Sequence, residues 1–399
     1  MTDITPFPLI EVRGTPAERG RMYGEQARER VRLSASLYEE QLRRLGFDAE
    51  NVSRLVTIFL PNITEWAPDL VEEMRGIAAG AGVDFTSVVL VNARTEVLQL
   101  AQREKGIRDD EPDGCTGAVI LPEAARDGAL IHGQNWDWKA ECADTSIVLR
   151  ILRDDGPDVL TFTEAGGLAR SGFNAAGITV TANYLESDRD YREMGIPLPF
   201  IRRRALEAQH FALALRVVAI TPKSGSNNMM VSTAEGHAVD LECAPDEAFP
   251  IYPRDGMIVH ANHWQSQVAL SKLRETGLAS VPDSLYRDHR VEKLLRARSG
   301  DIVADDLKNA LFDDFAAPFC VCRAPMKKEG GNLSATVAMI ICEPAKGMME
   351  IAPLPAINRA FTRYELKMDE ALLARLSGAG DLANGVAVKH GEKRWSASS

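Results

Sequence analysis

A cysteine that directly follows a glycine, Gly114-Cys115, is the feature of the sequence with the clearest chemical potential. Glycine tolerates strained backbone conformations and the close approach of other groups, so a Cys115 thiolate could attack the neighbouring Gly114 carbonyl. The acyl group would move from nitrogen to sulfur, and water would complete the cleavage of the chain. The pair by itself leaves two interpretations open: a self-cleavage site, or a buried and inert cysteine, which is the commoner case.

Cleavage after Gly114 would give Cys115 a free α-amino group, whose unperturbed pKa is roughly 7.7–8.0. An amine at this position can deprotonate the thiol of the same residue, so that nucleophile and base belong to one residue. We therefore interpret Cys115 as the candidate nucleophile of an amide-processing enzyme and as the N-terminus of the processed chain.

Two runs of residues around this cysteine resemble one known family. They are Asp113-Gly114-Cys115-Thr116 and, 18 to 22 residues after the cysteine, Gly133-Gln134-Asn135-Trp136-Asp137. Both resemble the start of the β-chain in the acyl-coenzyme A:6-aminopenicillanic acid acyltransferase (isopenicillin N acyltransferase) family of N-terminal nucleophile hydrolases. Similar stretches extend the resemblance over roughly residues 8–352.

The resemblance implies a role for each matching residue. Cys115 is the nucleophile and, after cleavage, also supplies the base. Asp137 occupies the position of an aspartate that binds and orients the new amine, where a carboxylate favours the ammonium form. Asn262 matches an asparagine whose amide donates to the oxyanion, and Asn183 matches a second asparagine near it. Removal of one such donor typically costs about 10²–10³ in rate.

Two positions distinguish this chain from branches of the family. Choloylglycine hydrolases carry an arginine three residues before the aspartate, where this chain has Gln134 as the acyltransferases do, so no bile-salt substrate is expected. The late Ser-Arg pair of the acyltransferases is missing, and Ser334 is the nearest candidate for its serine. Hydrolysis of the acyl-enzyme is therefore favoured over its transfer to an amine. Further supporting candidates are Thr116, Asn135 and His263.

Several functional hypotheses remain open at this point. The leading one is a self-processing cysteine amidohydrolase that cleaves a small-molecule amide through an acyl-enzyme on Cys115. The alternatives are an acyltransferase that moves an acyl group from a thioester or amide to an amine, with acyl-coenzyme A as co-substrate, and a non-enzymatic scaffold with the same fold. A papain-like peptidase that uses His263 would need no cleavage after Gly114. The sequence specifies neither the substrate nor the oligomeric state.

The composition argues against several classes of partner. The net charge is −11, with 46 Lys+Arg against 57 Asp+Glu, which makes nucleic acid an unlikely partner. Arg202-Arg203-Arg204 is the one basic cluster; it predicts a helix face in solvent or, alternatively, a site that captures a substrate carboxylate. No apolar run reaches the roughly 18 residues that a membrane span needs.

The cysteines and the N-terminus indicate a cytoplasmic protein without a resident cofactor. Met1–Pro6 lacks the basic and apolar regions of a secretory signal, and six cysteines in such a chain are typical of cytosolic thiols. Cys320-Val321-Cys322 has no second metal-binding motif nearby, so two core thiols are expected there rather than half of a metal site.

The elements that must position these residues follow from patterning. Thr15, Pro16 and Glu18 form a capping box that opens a helix expected to run through Leu33 and beyond. Helical patterns continue to about residue 98, and strands then alternate with two helical regions, which predicts an α+β protein. The resemblance implies a four-layer αββα sandwich of the N-terminal nucleophile hydrolase type. Residues 1–114 would be the α-chain and residues 115–399 the β-chain of one shared domain.

Overall fold

Helices lead the chain and strands follow, as the patterning predicts. The computed structural model describes residues 4–107, 114–327 and 333–385. The helices are α1 (Pro16–Gln26), α2 (Arg28–Arg44), α3 (Ala49–Thr57), α4 (Leu60–Trp66), α5 (Pro68–Ala81), α6 (Phe85–Asn92), α7 (Arg94–Lys105), α8 (Leu198–Leu206), α9 (Phe211–Ile220), α10 (Gln267–Leu270), α11 (Ser284–Arg296), α12 (Ala304–Leu311) and α13 (Glu370–Gly385).

The strands form two sheets, one of eight strands and one of seven. They are β1 (Leu9–Val12), β2 (Thr116–Ile120), β3 (Ile131–Lys139), β4 (Ser146–Ile151), β5 (Val159–Glu164), β6 (Ser171–Asn174), β7 (Ile178–Tyr184), β8 (Asn227–Thr233), β9 (His237–Cys243), β10 (Ala248–Ile251), β11 (Met257–His260), β12 (Met326–Lys327), β13 (Leu333–Glu343), β14 (Met348–Pro353) and β15 (Thr362–Glu365).

The larger sheet, sheet A, has the order β1-β4-β5-β6-β7-β8-β9-β10. β1 pairs with β4 in parallel, and the other pairs of sheet A are antiparallel. Sheet B has the order β11-β2-β3-β13-β14-β15, with β12 paired to β13. β2, β3 and β13 contact β6 and β7, so the two sheets face each other.

Helices cover both outer faces. One core cluster joins apolar side chains of α1–α9 to sheet A, a second lies between the sheets, and a third joins α11 and α12 to sheet B. Each sheet thus buries one face against helices and the other against its partner sheet. This arrangement confirms the predicted α+β, four-layer αββα sandwich.

The first helix is shorter than predicted, although its start is confirmed. The hydroxyl of Thr15 accepts a hydrogen bond from the backbone N–H of Glu18, and the Glu18 carboxylate accepts one from the backbone N–H of Thr15. α1 ends at Gln26 because Ala27 leaves the helical conformation, and α2 begins at Arg28. The two helices then pack as separate elements against α5.

The prediction that Arg202–Arg204 face solvent is wrong for two of the three residues. Arg202 and Arg203 are buried in α8. Helix α8 lies between α6 and sheet A, so one side of it is enclosed. Arg203 is neutralised there by the carboxylates of Glu73 and Glu207. Within the described ranges, no helix combines the length and apolar character needed to cross a bilayer.

Candidate active site

Cys115 lies immediately before β2, between the two sheets, with 7% of its surface exposed. Its backbone N–H donates to Oδ1 of Asn262 at 2.7 Å, and its carbonyl accepts from Nη1 of Arg287 at 2.7 Å. Its Sγ lies 3.9 Å from the carbonyl oxygen of Asp137. Backbone and side chain of Cys115 are therefore held from three separate elements.

The surroundings of the Cys115 thiol keep it protonated while the chain is intact. Burial and the nearby Asp137 carboxylate raise the pKa of Cys115 to about 12, although Arg170 and Arg287 act in the opposite direction. A thiolate is the reactive form of cysteine, so little of it exists at neutral pH. A base introduced beside the sulfur would change that balance.

Arg287 of α11 is the main hydrogen-bond donor of the site, and it is not among the residues predicted from the sequence. Its guanidinium donates to the Cys115 carbonyl, to Oγ1 of Thr116 at 2.9 Å and to Oδ1 of Asn262 at 2.8 Å. Its Nε donates to Asp283 at 2.7 Å. In the sequence this arginine belongs to a charged helix that resembles an ordinary solvent-facing one, and no local signal separates it from its neighbours.

Asp137 reaches the site because β2 and β3 form a hairpin. Thr116 pairs with Asn135 across it, which brings Asp137 alongside Cys115. Oδ1 of Asp137 accepts a hydrogen bond from Oγ1 of Thr336 at 2.7 Å, and its Oδ2 lies 3.4 Å from Nε of Arg323. Thr336 and Arg323 were also absent from the predicted site, because they lie far away in sequence.

Asn262 follows β11 and is held in one orientation. Its Oδ1 accepts from both Cys115 and Arg287, so its amide nitrogen must point away, and Nδ2 donates to the Tyr184 carbonyl at 2.9 Å. Its backbone N–H donates to the Ser284 hydroxyl at 2.7 Å. In this intact chain Asn262 thus binds the nitrogen of residue 115. An amide nitrogen has two N–H groups, and the expected oxyanion role remains a prediction.

Asn183 and Gln134 form a buried network beside this group rather than touching Cys115. Nε2 of Gln134 donates to Oδ1 of Asn183 at 2.7 Å, and Nδ2 of Asn183 donates to the His260 carbonyl at 3.1 Å. The Ser171 hydroxyl donates to Oε1 of Gln134 at 2.7 Å. These bonds tie sheet A to β3 and β11, so the pair supports the position of Asn262.

Two further predicted residues have structural partners. Thr116 accepts from Arg287, as described above. Asn135 donates through Nδ2 to the Leu311 and Val321 carbonyls at 2.7 and 2.9 Å. It therefore joins sheet B to α12 and to the chain after it, on the face of sheet B away from sheet A.

Ser334, the nearest candidate for the serine of the acyltransferases, stays a prediction. It lies on β13 opposite Lys139, two residues before Thr336. It is Thr336 that donates to Asp137. A threonine in a strand gives no sequence signal of this contact, because the pairing of β13 with β3 spans 199 residues.

His263 is placed to support Asn262 rather than to activate the thiol. Its Nδ1 lies 2.8 Å from the Ser284 hydroxyl and its Nε2 lies 3.6 Å from Asp288. Burial lowers the pKa of His263 to about 4, against the opposing effect of Asp288. In the described part of the chain, Cys115 has no histidine among its hydrogen-bond partners.

The remaining cysteines show no sign of a metal site within the described residues. Cys320 and Cys322 are buried, and the Cys320 sulfur lies 3.0 Å from the Cys322 carbonyl oxygen. No group of three or more His, Cys, Asp or Glu side chains that could hold a metal occurs in the ranges described.

Comparison with known proteins places the chain in a family context. The family model described as acyl-coenzyme A:6-aminopenicillanic acid acyl-transferase matches residues 124–353. The acyl-coenzyme A:6-aminopenicillanic-acid-acyltransferase 40 kDa form of Emericella nidulans is 29% identical over 338 residues, covering 83% of this chain and 88% of that protein.

Solved structures with some likeness were also found. A conjugated bile acid hydrolase from Clostridium perfringens has a TM-score of 0.45 and 12% identity, covering 65% of this chain and 94% of the other. A penicillin V acylase from Agrobacterium tumefaciens has a TM-score of 0.44 and 14% identity, covering 64% of this chain and 89% of the other.

Proposed function

From the premise that this chain belongs to the acyl-coenzyme A:6-aminopenicillanic acid acyl-transferase family, we propose that it is a self-processing cysteine amidohydrolase. Cys115 is the nucleophile, and cleavage after Gly114 divides the precursor into an α-chain, residues 1–114, and a β-chain, residues 115–399. The two chains remain one folded unit. The substrate is a small-molecule amide.

In the processing step the Cys115 sulfur attacks the Gly114 carbonyl, and the bond between that carbonyl and the nitrogen of Cys115 breaks. The nitrogen takes up the proton that the thiol loses. Water then hydrolyses the resulting thioester, which restores the thiol and leaves a carboxylate on Gly114. Arg287 and Asn262 would hold the released amine and the backbone of residue 115 in place through this sequence.

In turnover the free α-amine of Cys115 accepts the proton of its own thiol. The pKa of about 12 in the intact chain explains why this base is needed: without it the thiolate is too scarce. The thiolate attacks the amide carbonyl, the amine product leaves with the proton, and water releases the acyl group. Developing negative charge on the carbonyl oxygen would be stabilised by amide N–H donors, for which Asn262 is the candidate.

One observation carries this proposal. The backbone nitrogen of Cys115, the atom that cleavage would free, donates to Asn262 at 2.7 Å inside a buried site that also contains Asp137 and Arg287. Any buried backbone N–H needs an acceptor, but here the acceptor is a side-chain oxygen that Arg287 and the Tyr184 carbonyl hold in one orientation. This network supports a function for the nitrogen itself.

The mass and N-terminal sequence of the purified protein test the processing step. We expect two fragments, one of which begins at Cys115, and a single uncleaved chain for the Cys115→Ala variant. Cys243→Ala is the matched control, since Cys243 is also a buried free thiol but lies on β9. An intact wild-type chain that still hydrolyses amides would contradict the proposed processing.

An acyltransferase is the second candidate, because the curated relative in Emericella nidulans is described as one. The two functions share the acyl-enzyme and differ only in whether water or an amine resolves it. Product analysis with and without a competing amine such as 6-aminopenicillanic acid, and with an acyl-coenzyme A donor, separates them. Hydrolysis products alone in both conditions would exclude transfer to that amine.

A non-enzymatic scaffold would keep the fold without the chemistry. It predicts that Cys115 reacts with an alkylating reagent no faster than the other buried cysteines. Selective labelling of Cys115 would exclude it.

A further inference from the structure

Arg202 on α8 is a buried cation without a partner. It is 5% exposed, and no hydrogen bond or ion pair reaches its guanidinium from any residue that the structure describes. Its Nε is both fully enclosed and unpartnered. Its neighbour Arg203, by contrast, binds Glu73 and Glu207. An isolated buried charge is strongly unfavourable, so an uncompensated arginine in this position requires an explanation.

A second arginine, Arg170, lies in the same electrostatic environment. Its Nη2 donates to Glu164 at 2.9 Å, and its guanidinium lies 4.3 Å from the centre of the Trp136 ring, while its Nε has no hydrogen-bond partner. Arg170 is 9% exposed. The two guanidiniums therefore retain free N–H groups, and neither is completely sealed from solvent.

The local charges do not balance. Three guanidiniums, those of Arg94, Arg170 and Arg202, interact with one another. The acidic groups that interact with them are Glu164, which binds Arg94 and Arg170, and Glu96. Three positive charges against two carboxylates leave one positive charge without a partner. Burial and the neighbouring arginines lower the pKa of Arg202 to about 9, which still leaves it charged at neutral pH.

These arginines act electrostatically on the candidate nucleophile. Cys115 interacts electrostatically with both Arg170 and Arg202, and Cys115 belongs to the same apolar cluster as Trp136, on which Arg170 stacks. Guanidinium groups bind carboxylates through paired N–H donors. An amide with its carbonyl at Cys115 and an anionic group nearby would supply the missing negative charge.

We propose that Arg202, together with Arg170, forms an anion-binding subsite beside Cys115 that receives a carboxylate of the substrate. This inference rests on the proposed function of Cys115, and it narrows the substrate class to amides that carry a free carboxylate. The carboxylate belongs either to the amine portion, as in an N-acyl amino acid, or to the acyl portion, as in the monoamide of a dicarboxylic acid.

Alkylation of Cys115 tests the subsite without knowledge of the substrate. Iodoacetate and iodoacetamide differ mainly in charge, so the ratio of their rates at Cys115, followed by mass spectrometry, reports the local preference for an anion. Any change in thiol ionisation affects both reagents and cancels in the ratio. We expect Arg202→Gln to lower the ratio at least about 3-fold, and Arg202→Lys to restore part of it.

Arg204→Gln is the matched control, because it removes one positive charge from the same helix at a position paired with Asp69 and Glu207. We expect its ratio to equal that of the wild type. An unchanged ratio in Arg202→Gln, or an equal fall in Arg204→Gln, overturns the subsite.

Thermal unfolding supplies a second readout. Removal of an uncompensated buried charge is expected to leave the melting temperature of Arg202→Gln equal to or above that of the wild type. If Arg202 had a purely structural role, its loss would lower the melting temperature, and that result would contradict the proposal.

Turnover then distinguishes the two sources of the carboxylate and separates this inference from the proposed function. The amine-side pair is N-hexanoylglycine and N-hexanoylglycinamide, and the acyl-side pair is adipic acid monoanilide and hexanoic anilide. We expect one pair to show a preference of about 10-fold or more in kcat/KM for the carboxylate, and Arg202→Gln to abolish it. If the wild type cleaves all four compounds without preference, the subsite is overturned while amide hydrolysis stands. If it cleaves none but Arg202 still governs the alkylation ratio, the hydrolysis of these amides fails and the anion subsite stands.

Discussion

At the scale of single residues, one buried arginine, Arg287, connects several parts of the candidate site. Four hydrogen bonds leave the Arg287 guanidinium, and three of them end on Cys115, Thr116 and Asn262. Arg287 thus fixes both the residue that would attack and the asparagine that accepts a hydrogen bond from the backbone nitrogen of that residue. Asp283 balances its charge in the buried site.

Replacement of Arg287 by glutamine should therefore lower stability as well as processing. Removing one partner of a buried pair typically costs about 3–5 kcal/mol. Here the carbonyl of Cys115 loses the Arg287 donor, and Asp283 loses one of its two arginine partners. Urea unfolding and the fraction of cleaved chain measure the two effects. Arg296→Gln is the control on the same helix: its exposed pair with Asp255 is expected to contribute about 0–1 kcal/mol. Equal losses in both variants would contradict the role given to Arg287.

Gly114 is expected to tolerate no side chain. A Cβ there would lie 2.7 Å from Nη2 of both Arg287 and Arg323, and both guanidiniums are fixed by Asp283. Gly114→Ala should therefore leave most of the precursor uncleaved, as judged by electrophoresis over time. In the control Gly156→Ala the Cβ meets only the end of the Arg153 side chain at 3.3 Å. Normal cleavage in Gly114→Ala would show that the two arginines can move aside.

At the scale of elements, three adjacent strands bring the chemistry together. Cys115 directly precedes β2, β3 carries Asp137, and β13 pairs with β3 so that Thr336 lies opposite Asp137. The pairing of β13 with β3 shifts register between Thr336 and Ala338, immediately after this contact. Irregularities of this kind re-aim side chains near functional sites.

Thr336→Val tests this contact while keeping the shape of the side chain. The loss of the hydroxyl leaves a buried carboxylate oxygen of Asp137 with one donor fewer, at a cost of about 1–3 kcal/mol in the free energy of unfolding. Thr336→Ser keeps the donor and should retain most of the stability and processing of the wild type. If valine and serine behave alike in urea unfolding, the hydrogen bond to Asp137 makes no net contribution.

At the scale of the whole molecule, the two proposed chains share one core. β1 from the N-terminal segment pairs with β4 of sheet A, and one apolar cluster joins α1–α7 to α8, α9 and sheet A. Burial of this size is not released by the cut of a single peptide bond.

We therefore expect the fragments to remain associated after cleavage. Size-exclusion chromatography should give one native peak that contains both fragments, at the elution volume of uncleaved Cys115→Ala. The fragments should separate only in denaturant. Separate native peaks would contradict the shared domain.

Buried histidines predict how the stability of the whole fold depends on pH. Burial lowers the pKa of His132 to about 3, and burial also lowers that of His263 to about 4. The unfolded chain binds these protons below about pH 6.5 and the folded chain does not. The stability that these two histidines contribute to the folded state is therefore complete above that pH, and it is lost as the pH falls toward 4 and below.

The contribution of His260 to stability changes with pH in the opposite direction. Despite burial, the carboxylates of Asp240 and Glu242 raise the pKa of His260 to about 9. Its contribution is complete below about pH 6.5 and is lost as the pH rises through 9.

His132→Gln tests the acid side of this dependence. In urea unfolding, His132→Gln should reduce the slope with which the free energy of unfolding falls at acid pH by up to about 1.4 kcal/mol per pH unit. His237→Gln, at an exposed position on β9, should leave that slope unchanged. An unchanged acid slope in His132→Gln would contradict the assignment.

Local patterns in the sequence determined much of this protein. The Gly114-Cys115 pair, the Gly133–Asp137 run and the capping box at Thr15 depend on neighbours in the chain, and they sufficed to predict the family, the α+β fold and the start of the first helix. The layered sandwich followed from the resemblance, and the structure confirmed it. The order of helices and strands was likewise predictable from hydrophobic patterning.

Tertiary structure alone decided which charged side chains enter the site. Arg287, Arg323 and Thr336 reach Cys115 and Asp137 across 172 to 199 residues of sequence, and nothing in their local patterns marks them. The same holds for Arg202, where the sequence left a solvent face and a carboxylate site as alternatives. The packing of α8 and α11 against the sheets decides whether each charge is buried and whether a partner neutralises it. Local sequence does not reveal this packing, because it involves residues that are distant in the chain and that only the fold brings together.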